Sequence, residues 1–120
     1  MTDCDPDFHW LMGLFEGEGS FIAGPPSAPR RAVACVVSTD RDVIDRAAGL
    51  LGSTVITRSR KSAPAHWKPI YEARLRGGRA ARFMAAARPY MSRRRQEAID
   101  KALAATPADA RHATHVPVLD

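Results

Sequence analysis

The chain has 120 residues, enough for one modest core and too few for two ordinary domains. Hydrophobic residues make up 45% and charged residues 26%, which argues against a collagen-like, coiled-coil or wholly disordered chain. The net charge of +5 favours a polyanionic partner, although a solvated basic surface gives the same sum, so the positions of the charges must decide.

The longest apolar run is far short of a membrane span. The opening MTDCDPDFHW is acidic and lacks the apolar stretch of a secretory leader, so the expectation is a cytoplasmic protein with no membrane partner. Cys4 and Cys35 are too few and too far apart for a disulfide framework or a zinc finger. Both are read as reduced, Cys35 as a small core residue in a strand.

In chain order, Asp5 or Asp7 can cap a first helix with Pro6 in its first turn, and Phe8, Leu11, Met12, Leu14 and Phe15 form its apolar face. That helix should end by Gly19. "SFIAG" and "RAVACVVS" follow as strands of a hairpin, joined by "PPSAPR", which no helix could cross. In "STDRDVIDRAAGLLG", Ser38 or Thr39 can cap, the apolar residues repeat at helical spacing, and Gly52 suits the position after the last turn. "STVITRSR" and "PIYEARLRG" form a second hairpin across "KSAPAHWK". "GRAARFMAAARPY" predicts a helix that stops near Pro89, and Ser92 can cap a last helix over "RRRQEAIDKALAA". Residues 1–105 thus form one α+β domain with antiparallel strands, and residues 106–120 read as a loose tail.

The stretch "LMGLFEGEGSF" places Glu16 and Glu18 where the helix macrodipole opposes negative charge, at roughly 0.3–1 kcal/mol each. Residues two apart on a helix point about 200° apart, so the two carboxylates cannot both hold one ion and should have different roles. A divalent cation would reverse the cost. Mg²⁺ takes a few carboxylate oxygens plus waters and phosphates, which suits one glutamate from each of two chains. Gly13 and Gly17, four apart, share a helix face and would let a partner helix approach closely, with Leu14 beside them. The plainer alternative is a pair of solvated surface carboxylates.

Residues 11–19, Leu-Met-Gly-Leu-Phe-Glu-Gly-Glu-Gly, resemble the motif of the LAGLIDADG homing endonucleases, with Glu for Asp at both acidic positions. The order of elements, "LLG" before the third strand and "RPYMSRRRQEAI" before the last helix are also similar, so the resemblance spans roughly residues 8–105. It implies an αββαββα unit with helices on one face of a saddle-shaped sheet lying along double-stranded DNA. With one motif, it implies a homodimer on a near-palindromic site, its motif helices paired through Gly13, Leu14 and Gly17. "RAAGLLGS" resembles part of the motif but has no carboxylates after it, and is not a second copy.

The resemblance also makes Glu18 the ligand of Mg²⁺ or Mn²⁺, while Glu16 supports the helix end. Phosphodiester hydrolysis would then use a metal-lowered water pKa and neutralisation of phosphate charge. The family tends to carry a lysine five residues after the proline of the segment matching Pro89-Tyr90-Met91, and Arg94 stands there. Arginine can stabilise developing phosphate charge but does not readily deprotonate water, so Arg94 is a catalytic candidate through its charge. A polar residue carried late in the second strand by some relatives falls near Val36, which is apolar.

Alternation in the fourth strand sends Tyr71, Ala73 and Leu75 to one face and Glu72, Arg74 and Arg76 to the other. Arg58 and Arg60 align with the second set, and the connection adds Lys61, His66, Trp67 and Lys68. Arg58, Arg60, Lys61, Lys68, Arg74, Arg76 and Arg93 are therefore the DNA-binding candidates, suited to phosphate contacts and to reading guanine. Arg93, Arg94 and Arg95 at a helix start oppose its dipole, which a phosphate would relieve and which a solvated cluster would tolerate. His112 and His115 lack the partners that would close a zinc site, and Trp10 and Trp67 read as packing anchors, Trp67 less firmly. Rival readings are a non-catalytic DNA-binding regulator or degenerate relative, and an RNA splicing cofactor (maturase).

Overall fold

The structure is a computed structural model describing residues 5–58 and 68–106. The expectations for Cys4, Arg60, Lys61, His66, Trp67, His112 and His115, and for the tail beyond Thr106, lie outside the described residues.

Helix α1 spans Pro6–Glu18. Asp5 is its N-cap: Oδ1 accepts from the Asp7 N–H at 2.8 Å, and Pro6 has no N–H to leave unsatisfied. Phe8, Leu11, Met12 and Phe15 are buried, and Leu14 packs partly against the core. Strands β1 (Gly19–Ile22) and β2 (Val33–Ser38) form the first antiparallel pair. Helix α2 (Arg41–Leu51) leads to strands β3 (Val55–Arg58) and β4 (Ile70–Arg76), the second antiparallel pair. Helix α3 (Gly77–Ala87), a 3₁₀ turn (Arg88–Tyr90) and helix α4 (Arg93–Ala105) complete the order. The fold is α+β, an αββαββα unit followed by one more helix. Strands β2 and β4 also pair antiparallel, giving one four-stranded sheet ordered β1-β2-β4-β3.

Inward residues of the sheet are Phe21, Ala34, Val36, Ala73 and Leu75, all buried. The helices cover this face. Phe15 is the central anchor, with ring centroids 5.6 Å from Phe21 and 4.8 Å from Phe83. Burying one such side chain is worth about 3 kcal/mol, so this trio joins α1, β1 and α3 strongly. Arg46 fastens α2 to α1, lying 4.0 Å over the Trp10 ring and bonding Asp7 Oδ1 at 2.8 Å. Among the described residues, no helix is long and apolar enough to cross a membrane.

Three local expectations need correction. The cap position of α2 is Asp40 rather than Ser38 or Thr39, and Asp40 makes no side-chain cap bond. Ser38 is still strand, opposite Tyr71, and its Oγ accepts from the Asp40 N–H at 3.0 Å. Cys35 is not a core residue. It is free and only partly buried, because the register puts Ala34 and Val36 inward and Cys35 outward between Ser20 and Arg74. Thr106, the first residue of the expected tail, is buried and donates to the Ala102 carbonyl at 2.8 Å. At the end of α2 the expectation holds: Gly52 has φ 69°, a left-handed conformation that glycine adopts without strain.

Candidate functional site

Glu16 and Glu18 have separate surroundings, as their opposed directions on the helix require. Glu16 reaches the start of α4, accepting from the Ser92 backbone N–H and from Ser92 Oγ, the latter at 2.9 Å. This is the reciprocal half of a capping box supplied by another helix, so the positive end of α4 offsets the negative end of α1. The backbone bond from Ser92 is the main reason the Glu16 carboxyl is held below the ordinary glutamate range, aided by Ser92 Oγ and the charges of Arg95 and Arg94.

Arg95 completes the junction. Its Nε donates to the Glu16 carbonyl at 3.2 Å and its Nη1 to the Gly19 carbonyl, serving acceptors that α1 leaves open at its C-terminus. In sequence, Arg95 has the same charge as Arg93 and Arg94 beside it. The usable signal was spacing, since Arg95 precedes the buried Ile99 and Ala102 by four and seven residues and so shares their inward side.

Because the Glu16 pKa is lowered on folding, its contribution is fully present at neutral pH and is lost as pH falls through the folded value. Glu16→Ala is expected to destabilise by about 0.5–1 kcal/mol, the low end for a lost cap because the side chain is partly in water. The gap between wild type and Glu16→Ala in denaturant melts should narrow below about pH 4. A gap independent of pH would remove the carboxylate from the cap.

Glu18, the last residue of α1, is exposed and makes no hydrogen bond or ion pair among the described residues. It lines a depression of about 510 Å³ with Leu14, Val37, Ser38, Asp40, Val43 and others. The Asp40 carboxylate, freed from capping, is a second acid on this depression that sequence reading missed. Its signal was the overlap of strand and cap at Ser38. No group of three or more His, Cys, Asp or Glu side chains that could hold a metal occurs among the described residues. Oxygen donors in this number suit Mg²⁺ or Mn²⁺ only if a second chain or phosphates complete the shell.

Gly13 and Gly17 lie on one exposed face of α1, and a Cβ built on either meets nothing within 4 Å. Leu14 borders them. The surface is therefore open to a close neighbour, as the dimer expectation requires.

On the outward sheet face, Arg58 and Arg74 converge on Glu72. Glu72 is 3% exposed, and its two oxygens take Arg58 at 3.1 Å and Arg74 Nε. The bond to Glu72 chiefly raises the Arg74 pKa, so that guanidinium is a permanent cation with a fixed edge. Arg76 and Lys68 are exposed nearby in sequence. The β1–β2 half of the same face is apolar instead, with Ile22 at 50% and Val37 at 38% exposure. Burial pushes the Cys35 thiol up, with Glu72 adding to it, so the thiol stays protonated.

One resemblance position, Val36, and one DNA-binding candidate, Arg93, lie off this face. Val36 is buried in the core at 1% exposure, so the apolar residue there serves packing. Arg93 sits on α4 beside Glu97, 3.3 Å away, apart from the strand arginines. Arg94 is exposed at the same helix start, close enough for its charge to act on Glu16.

No protein-family model and no curated protein matches the chain.

Proposed function

We propose that the chain is a LAGLIDADG-type endonuclease that cuts double-stranded DNA as a homodimer, in a cytoplasmic setting. The observation that carries this reading is Glu18, an exposed carboxylate at the end of α1 without a partner among the described residues. Beside it lie the open face of Gly13 and Gly17 and the start of the arginine-bearing sheet. Two α1 helices packed through Gly13, Leu14 and Gly17 would bring two Glu18 carboxylates together. A Mg²⁺ or Mn²⁺ ion held there with DNA phosphates would supply Lewis-acid stabilisation and lower the pKa of an attacking water. The chain's own residues orient the reaction. Arg58, Arg74 and Arg76 seat the duplex, Glu72 fixes the first two, and Arg94 places positive charge near the exit of α1.

The second reading, DNA binding without cleavage, is favoured by Arg94, a residue unsuited to accept a proton from water. RNA as the polyanion, in a splicing cofactor, would draw on the same arginines. The deciding experiment is incubation with a library of duplex sites in Mg²⁺, Mn²⁺ and chelator. Metal-dependent double-strand cuts are expected; binding with no cutting under any metal would leave the regulator reading, and preference for structured RNA the splicing one.

A further inference from the structure

At the end of the sheet away from Glu18 lies a basin of about 740 Å³ lined by Pro25, Arg30, Arg31, Val33, Arg74, Arg76 and Gly77. Its position follows from register. Gly19 pairs with Val36 at one end of β2, while Val33 faces both Ile22 and Arg76 at the other, three residues or roughly 10 Å away.

Four of the lining residues are arginines and none is acidic. They come from two places distant in sequence, the β1–β2 connection and the end of β4. The guanidinium groups of Arg31 and Arg76 make no hydrogen bond or ion pair among the described residues. Arg74 is held on its inner side by Glu72, which leaves its terminal nitrogens available. Helix α3 begins at the same place. Its cap residue, Arg76, makes no side-chain cap bond and its first turn has no acid, so the positive helix end is not offset locally. Across Arg74 and Arg76, a neighbouring depression contains Ser53, whose Oγ is buried with no partner among the described residues.

Like charges gathered at one concavity repel unless an anion joins them, and planar guanidinium groups match phosphate oxygens in paired hydrogen bonds. We infer that this basin is a phosphate-binding site that grips the sugar-phosphate backbone of the duplex at the outer end of the sheet. The assignment of DNA as the source of the phosphate rests on the nucleic-acid reading above, whereas the basin's affinity for phosphate does not. Such a contact positions the duplex without reading sequence, which leaves discrimination to the Arg58–Glu72–Arg74 cluster.

The test uses inorganic pyrophosphate and a mixed-sequence DNA duplex with wild type and the double variant Arg31→Gln, Arg76→Gln. Both side chains are exposed, and thermal melts of the variant establish that it folds. Pyrophosphate should shift the amide resonances of Arg31, Arg76 and Gly77, with affinity falling on the order of tenfold in the variant. Duplex affinity should fall too, and its dependence on log salt should flatten by about two for each chain bound, about four for a homodimer. Pyrophosphate that leaves those amides unmoved, or binds the variant as well as wild type, overturns the basin. Duplex binding with an unchanged salt slope overturns its role on the backbone while the DNA reading stands. Pyrophosphate captured at the basin with no duplex binding at all supports the phosphate site and defeats the DNA reading.

Discussion

Glu18→Gln is expected to abolish metal-dependent cutting while leaving the protein slightly more stable. Glutamine keeps the shape but binds a hard divalent cation poorly, and loss of even outer-shell partners costs metal sites about 10–100-fold. Removing a direct ligand from both chains of a dimer should cost more than about 100-fold. Folding responds in the opposite direction. Glu18 has no partner among the described residues and lies at the negative end of α1, so neutralising it should return roughly 0.3–1 kcal/mol. Opposed signs of this kind mark a residue kept for function at the expense of stability. The check is a plasmid-cutting assay beside a thermal melt of the same sample. Full cutting by the variant would remove Glu18 from the reaction, and a large loss of stability would reveal a structural duty.

Gly19→Ala should be strongly destabilising, although it adds a single methyl. An ideal Cβ on Gly19 would lie 2.5 Å from Phe15 Cδ1, 2.7 Å from the Phe15 carbonyl oxygen and 2.8 Å from its Cα. The oxygen and Cα belong to the backbone of α1, and the ring is packed against Phe21 and Phe83, so neither side can yield. Overpacking of this severity costs about 3 kcal/mol or more, which for a domain of this size lowers Tm by roughly 10 °C. Gly13→Ala and Gly17→Ala should behave in the reverse manner. Both sites are open, and each exchange should raise the stability of a single chain by up to about 1 kcal/mol through helix propensity. In a dimer packed through that face the added methyls should weaken association, read by light scattering across a dilution series. A dimer indifferent to both exchanges would put the interface elsewhere.

The three glycines look alike in the sequence, and only the packing separates them. Helical spacing does place Gly13 and Gly17 on one face. That Gly19 is pressed against Phe15 depends on the angle at which α1 turns into β1, set by the contacts of Phe21 and Phe83. The two glutamates divide similarly. Their 200° separation forbids a shared role, which is legible from helix geometry alone. That Glu16 belongs to Ser92 depends on α4 returning, seventy-six residues later, to the end of α1.

Period-two and period-3.6 patterns, proline and glycine punctuation and the Asp5 cap determined the order of elements and both hairpin pairings, because these are local preferences summed over short windows. The strand parity of β4 was likewise local, since Ala73 and Leu75 could only face a core. The parity of β2 was not. "RAVACVVS" is apolar on both faces, and Cys35 turns outward because pairing with β1 and β4 gives the core to Ala34 and Val36. Which charges meet was also decided by tertiary structure. The basin of Arg30, Arg31, Arg74 and Arg76 and the clasp of Glu72 by Arg58 and Arg74 arise only when strands remote in sequence pair in one register. Electrostatic contacts follow spatial distance, whereas secondary-structure preference follows distance along the chain.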